Sequence, residues 1–481
     1  MTETYADPRR WKALAVLGVA YLMVVLDIAI VNVALPSIQT DLGFSTEDLQ
    51  WVVSGYALTF GGFLLLGGRM GDLLGRRTIF MVGLGLFLVT SLLAGLSQSS
   101  EMLIVARLLQ GAAGAILSPS VFSITLVTFE EGAERNKALG ILGGIAGSGA
   151  AIGVLLGGVF TEYLGWEWIF FVNVPIAAAA LALVPRYVRE SRADGLTRHF
   201  DSLGAISVTG SLMLLVFGLT QANRVGWGSA QTIGVFAGSA VLMAYFLWNE
   251  TRSRSPLVPL RIFKRRTLTG ANVIGFGLGT VVFGIFFLLS LYMQQVLGFS
   301  AMQAGVGYLA VALTVVVAAT VSQGLVTRLG VKPVLVTGMA LLTAGMVYFT
   351  QVSANGSYWV DLFPGFLIIG VGMGFSFVPI SIAALAGVQG PEAGLASGLI
   401  NTSQQIGGAL GLALLTTVAT THTTSLLESG HAQNEALTSG FSYGFWVAAG
   451  FAFVSLITTL VMLRQEDLPA VGTEPEPVPA G

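Results

Sequence analysis

The amino-acid sequence predicts an all-α integral membrane protein of about fourteen transmembrane helices, built as two pseudo-symmetric six-helix bundles with an inserted helix pair. Three observations lead there: an apolar composition, basic residues confined to alternate connections, and an internal repeat. Of 481 residues, 54% are hydrophobic and 10% charged, whereas soluble domains carry roughly 25% charged residues. Lipid is therefore the solvent for most of the chain. The 62 glycines are scattered through apolar runs, not set in a strict triplet, which suits close helix packing in a bilayer.

At about 20 residues per crossing, the apolar runs place spans near 13–36, 50–69, 79–97, 102–128, 138–160 and 166–185, then 202–221 and 230–248. A second long set follows near 269–297, 303–326, 333–351, 359–386, 393–419 and 441–463. The first run, Ala13 to Pro36, outlasts the apolar region of a signal peptide and is expected to remain as a span. The repeat links the two sets. Ala57-Leu58-Thr59 returns as Ala312-Leu313-Thr314, Gly114 and Pro119 as Gly374 and Pro379, and Gly149 and Gly153 as Gly407 and Gly411. The expected units are a bundle at 13–185, linkers with two extra spans at 186–268, a second bundle at 269–463, and a tail at 464–481. Repeated halves around a midplane site are the usual build of secondary transporters.

Lys and Arg accumulate on the cytoplasmic side of membranes. Arg9, Arg10 and Lys12, then Arg69, Arg76 and Arg77, then Arg135 and Lys137 occupy alternate connections, and the series continues to Arg464. Both termini are thus expected in the cytoplasm. Of the 23 basic residues, only Arg224 falls in an outward connection and only Arg107 inside a span, so an odd number of crossings would ruin the pattern.

Composition also excludes several function classes. With a net charge of -2 and basic residues in short clusters, no nucleic-acid partner is expected. The absence of cysteine rules out disulfides and thiolate metal sites. His199, His422 and His431 fall in polar connections without metal-ligand spacing, read as loop residues, and no metal site is expected. No GxxxxGK[ST] loop surrounds any lysine, and no loop joins a nucleophile, base and orienter, so neither an ATP-driven machine nor an enzyme is expected. No cofactor is expected, and the energy is expected to come from a gradient. One charge falling through 100 mV supplies about 2.3 kcal/mol, enough for a roughly 50-fold substrate gradient.

The stretch Gly68 to Arg77 reads GRMGDLLGRR and joins the second and third spans. Its glycines let the turn approach neighbouring helices, and Asp72 is placed to pair with an arginine or cap a helix N-terminus. The loop resembles motif A of the major facilitator superfamily, which latches the two halves in one state. The resemblance implies a cytoplasmic gate at Gly68, Asp72, Gly75, Arg76 and Arg77. The second-half counterpart, QGLVTRLGVK, has Thr327 where Asp72 stands, so the latch is expected on one side only.

The first span reads LDIAIVNVALP and sets Asp27 in an uncharged helix, where insertion scales charge an Asp about 2.5 to 3.5 kcal/mol. That cost points to a function or a buried partner, and the available partner is Arg107. Counting about 1.5 Å per residue from the outer helix ends brings the two within a turn or two in depth, so a pair is geometrically allowed. Desolvation favours the neutral acid and Arg107 the anion. A change of conformation that shifts this balance would let Asp27 load a proton outside and release it inside while substrate moves the other way. Structural pairing alone is the plainer alternative.

Arg107 opens RLLQGAAGA, which resembles motif B, where the family's arginine is assigned to proton transfer. A guanidinium stays charged, so Arg107 is expected to tune Asp27. The fifth span contains GSGAAIGVLLGG, with Gly149, Gly153 and Gly157 at four-residue spacing and Gly158 beside them. Such a face permits near backbone contact. It resembles motif C, the antiporter signature, with Val154 where the family usually has proline, although packing by small residues explains the glycines equally well. GWEWIFFVNVP at 165–175, LYMQQVLGFS at 291–300 and NTSQQIGGALG at 401–411 complete the pattern. With LDIAIVNVALP they make nearly the whole chain similar to the fourteen-span drug:proton antiporter family, apart from Glu167 and Gln404, where that family commonly has arginine. The resemblance implies proton-coupled multidrug efflux across the cell membrane by alternating access.

The second half has no clearly mid-span acid: Asp361 lies at an outer end, as do Glu101, Glu162 and Glu167. Monovalent cations or neutral lipophiles are therefore the expected substrates. Candidate cavity-lining residues are Gln294, Gln295, Phe286, Phe375, Phe377, Asn401, Gln404 and Gln405, though packing or hydrogen bonding between helices explains each more simply. Two other readings stay open: a dedicated exporter or symporter of one metabolite or antibiotic, and a non-transporting receptor or scaffold. The expected partners are a small lipophilic substrate, protons and membrane lipid, with no obligate protein partner. Glu130, Glu131 and Glu134, and the stretch from Pro469 to Gly481, read as solvated.

Overall fold

The computed structural model describes residues 9–129, 133–192, 201–253, 256–386 and 392–468, without the side chains of 72, 133, 136, 146, 147, 150, 223, 224 and 392–394. Backbone polar groups in a bilayer find no water, so each spanning segment must satisfy its own hydrogen bonds as a helix. Among the described residues fourteen long helices do so. The first set is α1 Arg10–Leu42, α2 Trp51–Leu74, α3 Arg76–Gly95, α4 Ser100–Thr128, α5 Ala133–Tyr163 and α6 Trp168–Tyr187, the last broken at Val172. Two more are α7 Ser202–Val225 and α8 Ala230–Arg252. The second set is α9 Arg266–Leu291, α10 Ala301–Leu329, α11 Val331–Phe349, α12 Phe363–Leu385, α13 Glu392–Glu428 and α14 Gln433–Met462. A wider, π-type turn prolongs α9 over Tyr292–Val296, and another precedes α12 at Tyr358–Leu362.

Every expected span is one of these helices, and most helices run beyond the apolar stretch. This extension corrects the reading of His422. It lies inside α13, where its ring stacks 3.8 Å from that of Tyr443 and its Nε2 is 3.0 Å from Ser439 Oγ on α14. Helix geometry carries the polar end of α13 onwards because α14 packs beside it. His431 lies in the connection between α13 and α14, as expected, and His199 lies outside the described residues. Glu134 is half-exposed but tied to Arg10 Nη2 at 2.7 Å. Glu130, Glu131 and the stretch from Pro469 lie outside the described residues.

The repeat is visible as repeated packing. In the first set α1 packs on α5 and α6, α4 on α2 and α3, and α3 on α6. In the second, α9 packs on α13 and α14, α12 on α10 and α11, and α11 on α14. The repeated glycines do the same task twice. Gly114 is pressed against the Tyr56 and Phe60 rings of α2, and Gly374 against Ala318 and Ala319 of α10. Gly153 abuts Ala29 of α1, and its counterpart Gly411 abuts Thr280 of α9. Gly75 and Gly330, at φ 118 and 87, each turn the chain between helices in a conformation that side chains rarely adopt.

The halves meet along two seams, α2 on α13 and α5 on α10. The inserted pair covers the first seam. There, α7 packs on α2 and α13, with Gln50 Nε2 donating to Thr220 Oγ1 at 3.1 Å. Ser211 and Ser239 hold α7 to α8 by donating to each other's carbonyls, both at 2.8 Å. At the second seam backbones touch through glycine: a Cβ at Gly158 would lie 2.9 Å from Ala301 O, and one at Gly305 2.6 Å from Val154 O. This contact lies toward the face opposite the arginines. Toward the arginine face, Gly140 and Gly143 on α5 and Gly324 on α10 meet open space.

Candidate functional site

Asp27 and Arg107 do meet. Asp27 is fully buried and Arg107 is 1% exposed, and Arg107 Nη1 donates to Asp27 Oδ2 at 2.6 Å. Two amides complete the cluster. Gln110 Nε2 and Asn173 Nδ2 donate to Asp27 Oδ1 at 2.8 and 2.9 Å. Three donors thus converge on the carboxyl, the pattern of a carboxylate. The guanidinium is equally enclosed: its Nε donates to Val52 O at 2.8 Å and its Nη1 to Gln110 Oε1 at 2.6 Å. Its Cζ lies 4.4 Å from the centroid of the Tyr56 ring, within cation–π range. Gln110 Nε2 also donates to Ser91 Oγ at 2.8 Å. Five helices, α1, α2, α3, α4 and α6, therefore hold one buried ion pair, all within the first six-helix set.

Sequence reasoning named the acid and the base but not Gln110, Asn173, Ser91 or Tyr56. Two of these were within reach. Gln110 lies one turn after Arg107 in RLLQGAAGA, and Asn173 stands in WIFFVNVP, each a polar side chain in an apolar helix. A buried charge pair needs its spare lone pairs and protons satisfied, which is the signal that would have selected them.

The glycine face of α5 rests on α1 around this cluster. A Cβ at Gly149 would fall 2.8 Å from Val25 Cγ1, at Gly153 2.7 Å from Ala29 Cβ, and at Gly157 2.6 Å from Ile30 O. These contacts bracket Asp27. Gly158 points instead across the seam to α10, and α5 runs through Val154 as one continuous helix.

The loop that resembles motif A is tied to the stretch that follows α6. The Arg76 N–H donates to Ser191 O at 2.9 Å. The N–H groups of Arg77 and Thr78 donate to the Glu190 carboxylate at 3.0 and 3.1 Å, joined by the Thr78 hydroxyl. A carboxylate from beyond α6 thus caps the N-terminus of α3, where the first N–H groups lack helical partners. Burial raises the Glu190 pKa, but these hydrogen bonds outweigh it and hold the carboxyl below its usual range. Glu190 was not singled out from the sequence, since it lies more than a hundred positions from the helix it caps. Gly68 packs beside Pro119, and the side chain of Asp72 lies outside the described residues.

The other candidates are dispersed. Gln294 and Gln295 sit at the end of α9 away from the arginines and border a cleft of about 570 Å³ with Pro36, Asp41, Trp166 and Phe299. Trp166 Nε1 donates to Asp41 Oδ2 at 2.8 Å there. Phe286 packs on Tyr308, with ring centroids 5.1 Å apart, and Phe375 and Phe377 are half-buried in α12. Asn401 is exposed and donates to Ser397 O of its own helix at 3.1 Å. Gln404 and Gln405 pack through their aliphatic stems near Gly275 and Gly61. Among the described residues no group of three or more metal-ligating side chains converges.

Comparison with known proteins agrees with this architecture. The model of the Major Facilitator Superfamily matches residues 17–412. The chain is 38% identical over 460 residues to the puromycin resistance protein pur8 of Streptomyces alboniger, covering 95% of this chain and 91% of that protein. It is 38% identical over 409 residues to the cephamycin export protein CmcT of Amycolatopsis lactamdurans, covering 84% of each. The nucleoside transporter NupG superposes with a TM-score of 0.65 over 94% of this chain and 100% of that one, at 12% identity, a likeness of fold alone. Profile, relatives and fold agree that the chain belongs to the Major Facilitator Superfamily of membrane transporters.

Proposed function

We propose that this transporter exports small lipophilic compounds, cationic or neutral, in exchange for protons carried by Asp27. The observation that carries the reading is the buried Asp27–Arg107 pair, a charged cluster that lipid-facing helices would not keep for stability alone. Resistance and export proteins among its relatives support the outward direction. In the proposed cycle, parting of the helices moves Arg107, Gln110 and Asn173 away from the carboxyl, which then takes a proton from outside. Closure restores the three donors, and the proton leaves on the other side. Substrate binds while the carboxylate is charged and leaves when it is neutral.

The division at 13–185, 186–268 and 269–463 fits this cycle, with two bundles rocking about the α2–α13 and α5–α10 seams and the inserted pair braced on one of them. Asymmetry of Lys and Arg supports an arginine face, and with it both termini, on the cytoplasmic side. Energy comes from the proton gradient without a cofactor, and lipid is the only further partner proposed. Purified protein in liposomes should release protons when a lipophilic cation or neutral drug is added. Drug-evoked proton flux that is absent for every compound transported would overturn proton coupling.

A second reading is favoured by relatives named for one compound, such as the puromycin resistance and cephamycin export proteins: a dedicated exporter of one such compound. Competition by a panel of unrelated dyes separates the two, since a dedicated carrier ignores most of the panel.

A further inference from the structure

We infer that Ser290 and Gln294 latch the outer face by bonding backbone carbonyls in the turn of α1 before Pro36, an inference that deepens the alternating-access reading and rests on it. Pro36 has no N–H to return to the carbonyl of Asn32, four residues before it. That carbonyl instead accepts from Ser290 Oγ at 2.6 Å, and its neighbour Val33 O accepts from Gln294 Nε2 at 2.9 Å. Both donors come from α9, in the opposite half. Gln294 lies in the π-type turn Tyr292–Val296, a wider turn that re-aims side chains and is frequent at functional sites. It also donates to Ser290 Oγ at 3.2 Å, so the two donors act as one unit. Further out, Gln295 Nε2 donates to Gln39 Oε1 at 2.7 Å.

Two local irregularities, a proline in one half and a π-type turn in the other, thus fit together across the interface. Helices that merely packed would need neither. Immediately above the bonds lies the cleft bordered by Pro36, Asp41, Trp166 and Gln295, so the latch forms the floor of the outer vestibule. Hydroxyl and amide donors can return to water when the halves part, which makes the contact reversible. Its strength biases the transporter toward the state closed on this face.

The chain has no cysteine, so a single introduced cysteine reports opening. Ala301→Cys marks the α5–α10 contact, which is buried in this structure, and Glu101→Cys marks a position that is exposed in it. A membrane-impermeant maleimide is added to whole cells carrying either reporter. Ser290→Ala or Gln294→Leu should speed labelling at position 301 about fivefold to tenfold, the effect of losing one ordinary hydrogen bond, and leave position 101 unchanged. Pro36→Ala supplies the missing N–H and should also speed labelling, adding little to Ser290→Ala because both act on one contact. Unchanged labelling at 301 in all three variants, or equal acceleration at both reporters, overturns the latch. Labelling needs neither drug nor proton gradient, so its failure is distinct from a failure of proton-driven export.

Discussion

Arg107 Nη1 lies 2.6 Å from Asp27 Oδ2, with both side chains closed to solvent, and this separates the structural role of the pair from its proposed role in coupling. Removing one partner leaves the other as an uncompensated buried charge, a loss of about 3–5 kcal/mol. Asp27→Asn or Arg107→Met should therefore lower thermal stability markedly. The double variant removes both charges and should recover most of that stability while pH-driven transport in liposomes stays absent. Restored transport in the neutral pair would show that Asp27 does not carry the proton.

Tyr56 offers a finer test of the same cluster. Its ring faces the Arg107 guanidinium at 4.4 Å, while its buried hydroxyl finds no hydrogen-bond partner among the described residues. Tyr56→Phe keeps the aromatic face and deletes an unsatisfied polar group, so stability should stay level or rise. Tyr56→Leu also deletes the ring, and a desolvated cation–π contact is worth about 2 kcal/mol. Melting temperatures of the two variants should diverge by that contact, and equal values would remove Tyr56 from the account of how Arg107 is held.

How far the sequence discloses this arrangement depends on whether a feature repeats locally. The helices were legible because twenty-residue apolar runs have few alternatives in a membrane, and the two halves because Gly114 and Pro119 recur as Gly374 and Pro379. Asp27 and Arg107 were legible because each is a lone charge in an apolar run. Glu190 was not, since nothing near it in the chain hints that it caps a helix starting at Arg76. His422 was misplaced for a related reason: hydropathy marks where a span leaves lipid, not where its helix stops. The bonds from Ser290 and Gln294 to α1 were hidden too, because their acceptors are backbone atoms.

Close contact at the second seam predicts a strong position dependence along α10. At Gly305 a Cβ would lie 2.6 Å from Val154 O and 3.4 Å from Gly158 Cα, whereas at Gly324 it meets open space. Gly305→Leu should prise α5 from α10 and lower transport about fivefold or more, since overpacking a tight contact costs about 1–3 kcal/mol. Gly324→Leu should keep transport within about twofold, as substitutions without tight neighbours usually do. Initial rates of drug efflux from loaded vesicles compare the two, and equal rates would argue that the seam does not close during transport.

Glu190 gives a prediction in pH. Hydrogen bonds from Thr78 and from the N–H groups of Arg77, Thr78 and Ser191 hold its carboxyl below the usual 4.5 despite burial. A lowered value in the folded state means the carboxylate stabilises the protein fully above pH 4.5, and that contribution fades as acidification passes the folded value. Glu190→Gln should therefore cost about 1 kcal/mol at neutral pH, the usual worth of a helix cap, and should lose less than the parent on acidification. The two melting curves should converge below pH 4.5. Curves that stay parallel from pH 7 to 3 would mean that the carboxylate charge does not anchor the start of α3, and that Gly75 alone fixes the turn.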